Sequence, residues 1–139
     1  MSYLIDTDIL SILERKRVPA KLLKWLEENG EQSFLSIVSL AEIEYGVENA
    51  PREHQKALRE WLADLRMEFQ SATEELTHQV LVRWKELLAD LKRKNRTMTC
   101  EDSLIAATAL FHGHTIVTAN TRHFEPAGVP TINPLMVGG

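Results

Sequence analysis

The sequence predicts an α/β domain built on a mainly parallel sheet with helices on both faces. Two observations carry that expectation. Short apolar runs of strand length alternate along the chain with segments whose apolar residues recur every three or four positions. The run from Leu104 to Phe111 has only Thr108 as a polar residue, as suits a helix buried nearly all round. The length of 139 residues suits a single domain, 1–139, with one proper core. No internal repeat, low-complexity tract or dividing linker interrupts it.

The elements follow in order. Tyr3-Leu4-Ile5 reads as a short buried strand, and Thr7 to about Arg17 as a helix. Pro19 restarts the chain into a second helix with Leu22, Leu23 and Leu26 on its apolar face, stopped by Asn29-Gly30. Phe34 to Val38 reads as the next strand. Ser39 then opens a helix bearing Leu40, Ile43 and Val47, which Ala50-Pro51 breaks. The following helix carries Leu58, Trp61, Leu62 and Leu65, and Met67-Glu68-Phe69 reads as a third strand.

A long helix is expected from about Thr73 to Asn95, with Leu76, Val80, Trp84, Leu87, Leu88 and Leu91 on its stripe. Thr99 opens the buried helix, and His112-Gly113-His114 is the turn out of it. Thr115 to Thr118 reads as a strand and Val129 to Pro134 as an extended tail.

Composition excludes some classes. The net charge of −4 gives no overall attraction to nucleic acid, so a polyanion would need a local basic patch or a metal. A single cysteine, Cys100, rules out an internal disulfide and fits a reducing compartment. The apolar N-terminal run is far too short for a signal segment, and no stretch approaches a membrane span. A cytoplasmic protein without membrane contact is expected.

The acids are the informative residues. The first strand ends on Asp6-Thr7-Asp8. Glu42 sits three residues after Ser39, and Asp102 three residues after Thr99. Each has a plain structural reading: Asp6 as an N-cap, the other two as partners in capping boxes. Together they suggest more, because strand ends and following helix starts share one edge of an open parallel sheet, where ligands bind. Asp6 and Glu42 reach that edge; Asp102 joins them only if the buried helix points the same way.

Carboxylates at ~4 Å repel by about 4 kcal/mol per pair at an effective dielectric of ~20. Three such pairs would cost on the order of 10 kcal/mol, comparable with a domain's stability of roughly 5–15. Such a cluster must hold a proton or a cation, and an all-oxygen site suits Mg²⁺ or Mn²⁺.

The segments D-T-D-I-L-S, S-I-V-S-L-A-E-I-E-Y-G, D-S-L-I-A-A-T-A-L and T-I-V-T-A-N-T-R-H-F, in that order and at those separations, resemble PIN-domain ribonucleases. Within that family the chain is most similar to the VapC-type toxins of bacterial toxin–antitoxin pairs. The resemblance covers nearly the whole chain. It implies a three-layer α/β/α fold and a metal-dependent endoribonuclease. Asp6, Glu42 and Asp102 match the family's metal-binding acids, which would hold one or two Mg²⁺ or Mn²⁺ ions. A metal-activated water would attack an RNA phosphodiester, leaving 5′-phosphate and 3′-hydroxyl ends.

The resemblance also implies a VapB-type antitoxin partner, homodimers, and a toxin–antitoxin hetero-oligomer. Two departures stand out. Asn120 occupies the place of a fourth acid, where it would support the catalytic site without adding charge. Asp8 stands where Asn is common and reads best as a helix cap. Thr7, Ser39 and Thr118 match small polar residues around such sites, or are caps and strand-end partners.

Lys92, Arg93, Lys94 and Arg96 steer RNA or complement a helix dipole. Arg122 and His123 are better placed for substrate phosphate. His112 and His114 lack the further ligands that a zinc site needs. Cys100 has no histidine near it in sequence to make it a nucleophile. Trp25, Trp61 and Trp84 read as core or interface residues.

The same D-x-D opening and I-V-T-A-N also resemble haloacid dehalogenase-type phosphatases. Here Ile9-Leu10 stand where that family has Gly-Thr, and no lysine follows Asn120. A PIN-like binding module without nuclease activity remains the second reading, with Asn120 its best support.

Overall fold

The computed structural model describes residues 1–136. At its centre lie five strands: β1 (Tyr3–Ile5), β2 (Ser33–Ser36), β3 (Thr73–Glu74), β4 (Thr115–Val117) and β5 (Thr131–Ile132). They pair in the order β3-β2-β1-β4-β5, and every neighbouring pair is parallel. The helices are α1 (Thr7–Leu13), α2 (Ala20–Asn29), α3 (Ile37–Glu48), α4 (Arg52–Glu68), α5 (His78–Lys94) and α6 (Cys100–His112), with a 3₁₀ segment at Thr121–Ala127.

The alternation of side chains along each strand divides the core in two. Ile5, Leu35 and Val117 pack with Leu10 of α1, Trp25 of α2, Ile43 of α3 and Leu62 of α4. Leu4 and Ile116 point the other way, onto Leu87 and Leu91 of α5, Ile105 of α6 and Phe124. The sheet is thus the middle layer of an α/β/α sandwich, as expected. Both faces are covered, which is why the central strands carry no polar alternation. Among the described residues, no helix is long and apolar enough to cross a membrane.

Several boundaries differ from the sequence expectation, beginning with α1, which ends at Leu13 with Glu14 as its C-cap rather than near Arg17. The second strand stops at Ser36, whose side chain accepts from the Val38 backbone N–H at 3.0 Å and caps α3. Ser39 therefore lies inside the helix, fully buried. Met67 and Glu68 finish α4 and Phe69 is its C-cap, because the apolar stripe of Leu58, Leu62, Leu65 and Phe69 keeps its helical period to the end. The strand sits further on, at Thr73–Glu74, where the expected long helix would have begun; that helix starts instead at His78, capped by Thr77.

Chain order then places the edge that matters. From β1 the chain moves outward through β2 and β3, then returns to β4 on the other side of β1. The crevice beyond the strand ends at such a reversal is the usual ligand position in open α/β sheets. Only Gly113 and His114 connect α6 to β4, so α6 must run antiparallel to the strands. Gly113 makes that turn with φ of 74°. The start of α6 is thereby brought to the edge where β1 and β4 end.

Candidate active site

Asp6 is the first residue beyond β1 and the N-cap of α1. Its backbone N–H donates to the Val117 carbonyl at 2.9 Å, which locks it beside the end of β4. Its Oδ1 accepts from the Thr7 N–H at 2.8 Å and its Oδ2 from the Thr118 hydroxyl at 2.9 Å. The side chain is only 7% exposed. Burial, then the neighbouring charge of Asp8, push its carboxyl from 3.8 up to about 7; the Thr118 and Thr7 donors pull back, and Asp102 adds to the rise.

Asp8 is not the cap, because Asp6 fills that position. Asp8 instead ties α1 to the chain leaving β4. Its Oδ2 accepts from the Ala119 N–H at 3.0 Å and from the Asn120 side-chain amide at 2.9 Å. The amide of Asn120 thus holds Asp8, and its backbone N–H donates to Thr118 Oγ1 at 3.0 Å. The D-x-D spacing contained the signal for Asp8, since two acids at one helix start cannot both be its N-cap.

Glu42 lies on α3, bound to Thr7 Oγ1 at 2.9 Å, and Ser39 Oγ lies 2.9 Å from the same hydroxyl. One hydroxyl carries one proton, and an ionised carboxylate only accepts. Thr7 therefore donates to Glu42, and Ser39 donates to Thr7. The expected reciprocal cap between Ser39 and Glu42 is replaced by this relay from α3 to α1. Burial is the first cause that raises the Glu42 pKa; Thr7 lowers it, and Glu101 and Asp102 raise it.

Asp102 sits in the first turn of α6, where its N–H donates to the Thr99 hydroxyl at 3.1 Å. Its pKa is raised by burial first, with Thr99 and His123 opposing and Glu101 and Asp8 adding. Its charge bears on both Asp6 and Glu42. The three expected acids come together at one edge of the sheet: Asp6 from the cap of α1, Asp102 from the first turn of α6, and Glu42 from the second turn of α3. Among the described residues, no three His, Cys, Asp or Glu side chains form a ready ligand cage. Mg²⁺ takes only one or two carboxylates directly and keeps several waters, so a looser set of hard oxygens fits it.

The remaining candidates separate. Arg93 and Lys94 pair with Asp90 at 2.9 and 2.8 Å within the last turns of α5, where they also suit its dipole. Asn95, with φ of 54°, ends that helix and turns Arg96 away from the run. His114 is buried between Ser2 Oγ at 2.6 Å and Glu74 Oε2 at 2.8 Å, and His112 reaches the same Glu74 oxygen at 3.1 Å. Cys100 is exposed at the start of α6. Trp25 packs edge-on to Tyr3, and Trp84 donates to Ser103 Oγ at 2.8 Å, so both are structural; Trp61 packs on the first core.

Comparison with known proteins agrees with this fold. The PIN domain model matches residues 3–129. The chain is 32% identical over 134 residues to the plasmid stability protein StbB of Pseudomonas syringae pv. tomato, covering 94% of this chain and 96% of that one. It is 30% identical over 129 residues to the ribonuclease VapC1 of Rickettsia felis, with 90% of each covered. Among solved structures it is similar to FitAcB from Neisseria gonorrhoeae, with a TM-score of 0.90 at 25% identity over 97% of this chain and 99% of that chain. DNA-bound VapBC from Salmonella typhimurium shares the fold, with a TM-score of 0.87 at 21% identity over 96% and 98%.

Proposed function

The chain belongs to the PIN-domain family, and on that premise we propose that it is a divalent-metal-dependent endoribonuclease, the toxin of a toxin–antitoxin pair. The observation that carries the reading is the meeting of Asp6, Glu42 and Asp102 at the reversal point of the sheet, with Asp6 holding its proton up to about pH 7. A buried carboxylate that keeps a proton for want of a counter-charge gives it up to a cation.

Asp6, Glu42 and Asp102 would supply the oxygens that hold Mg²⁺ or Mn²⁺. Thr118 and the Thr7 N–H fix Asp6, Thr7 orients Glu42, and Asn120 with the Ala119 N–H anchors Asp8 as a nearby charge. A bound divalent ion supplies Lewis-acid polarisation of the phosphate and acidifies a water for in-line displacement. Asp8 replaces a fourth acid at position 120 as the further source of negative charge.

The relative VapC1 is named a ribonuclease, which supports RNA as the substrate. VapBC, which shares the fold, supports a VapB-type antitoxin as the partner. A homodimer that assembles with that antitoxin in the cytoplasm completes the reading.

The test is cleavage of a mixed RNA pool with Mg²⁺, Mn²⁺ or EDTA, comparing wild type with Asp102→Ala, alongside thermal melting with Mn²⁺. Metal-dependent cutting lost in the variant is expected, with a rise in wild-type melting temperature. Undiminished cutting by Asp102→Ala would overturn the assignment. A wild type that neither cuts nor gains stability from Mn²⁺ would leave a binding module.

A further inference from the structure

Beside the acids lies an open cleft of about 620 Å³ whose wall includes Asp102, Arg96, Arg122 and His123. Its size falls within the roughly 300–1,000 Å³ usual for small-ligand sites. The cations come from two separate connections. Arg96 follows the left-handed turn at Asn95 between α5 and α6, and Arg122 and His123 belong to the 3₁₀ segment after β4. Both arginines are exposed, and among the described residues neither forms an ion pair. Arg59, Arg66 and Arg93, by contrast, are paired with carboxylates. The start of α6, at Thr99, opens into the same cleft and adds the positive end of its dipole.

We propose that this cleft is a phosphate-binding subsite in which Arg96 and Arg122 grip the backbone of single-stranded RNA next to the bond that is cut. The inference rests on the endoribonuclease reading for the position of the cut, and on the cleft alone for the binding. A chain with net charge −4 repels RNA on average, so productive approach needs a local field of opposite sign. The cleft provides it on the side of Asp102, the one acid of the site that lines it. Arginine suits this role because its planar fork can donate two hydrogen bonds to one phosphate. His123, with Nδ1 3.9 Å from Asp102 Oδ2, stands at the border between the cationic cleft and the acids. An acidic protein segment would also be attracted, but the tie to Asp102 favours a phosphodiester.

The experiment measures binding of a short fluorescent oligouridylate in EDTA, where no cutting occurs, across about 50–400 mM salt. Wild type is compared with Arg96→Gln/Arg122→Gln and with Lys24→Gln. Lys24 lies on α2, in the layer across the sheet from the cleft. Each phosphate released from an arginine lowers the slope of log K against log salt by about 0.7 for a single strand. The double variant should therefore lose about 1.4 from the slope and bind roughly ten- to a hundredfold more weakly near 50 mM salt. Lys24→Gln should match wild type, and Arg96→Lys/Arg122→Lys should restore most of the slope.

An unchanged slope in the double variant would overturn the subsite, as would an equal loss in Lys24→Gln or no salt-dependent binding by wild type. Equal binding of polyglutamate would overturn the assignment to nucleic acid. Because binding is read without metal, failure of the cleft and failure of the nuclease reading give different results. The first leaves metal-dependent cutting intact with an unchanged slope; the second leaves arginine-dependent binding without cutting.

Discussion

Replacing Asp6 with Asn separates chemistry from stability. The carboxyl of Asp6 sits at about 7, against 3.8 for the ordinary group, a gap of about three units. At about 1.4 kcal/mol per unit, the ionised form costs the folded state about 4 kcal/mol. The sign follows from proton counting. Below pH 3.8 Asp6 is neutral whether folded or unfolded, and nothing is lost. Between pH 3.8 and about 7 the unfolded chain releases the proton while the folded chain keeps it, so stability falls as pH rises.

The amide is always neutral and escapes this loss. It also fits, because its oxygen can still cap α1 through the Thr7 N–H, and Asn is among the best N-caps. Its NH₂ meets Thr118 Oγ1, which can turn its own proton toward Asp8 Oδ2 at 3.3 Å.

Urea unfolding in EDTA at pH 4, 5, 6, 7 and 8 is the assay. Asp6→Asn should gain on wild type steadily with pH, reaching on the order of 2–4 kcal/mol at pH 8 and vanishing near pH 4. RNA cutting should be lost at every pH. A difference that stays flat with pH, or a variant less stable at pH 8, would refute the claim that Asp6 is held under electrostatic load. Unchanged cutting would remove Asp6 from the site.

Asn120→Asp places a second carboxylate at the 2.9 Å contact with Asp8, so stability at pH 8 in EDTA should fall by about 1–4 kcal/mol and recover on adding Mn²⁺, read by thermal melting. Thr118→Val removes the donor to Asp6 and the acceptor of the Asn120 N–H, both in a fully buried position; the urea midpoint at pH 8 should drop by the equivalent of about 1–3 kcal/mol. Gly113→Ala meets open space but must adopt φ of 74°, so it should cost about 1 kcal/mol from backbone strain alone, with RNA cutting retained.

The layer order and the acids were legible because burial and helix starts leave local marks. Tyr3-Leu4-Ile5 and Thr115-Ile116-Val117 are too apolar and too short to be anything but central strands, and both are. Where two local signals competed, the sequence was ambiguous. Ile37-Val38 look like strand, yet the side chain of Ser36 captures the Val38 N–H and starts the helix before them. Thr73–Glu74 contributes only two residues to the sheet, so its placement depends on pairing with β2, which no local pattern records. The direction of α6, and with it the position of Asp102, depended on the shortness of the Gly113-His114 turn. The cleft that joins Arg96 to Arg122 has no signature within either segment.

The cap and the catalytic reading of Asp6 are not rivals, since one oxygen serves each. Oδ1 takes the Thr7 N–H and satisfies the helix, while Oδ2 meets Thr118 at the edge shared with Asp8 and Asp102. A cap alone is worth about 1 kcal/mol, and Ser or Asn would provide it without charge. The carboxylate adds a penalty of about 4 kcal/mol once ionised, so its presence cannot be explained by what it does for the fold. That deficit is relieved only by a proton or by a cation, and above pH 7 the proton leaves. The first strand therefore ends on a carboxylate whose ionised form weakens the fold until a positive charge stands beside it, which is the condition a metal-dependent site must meet.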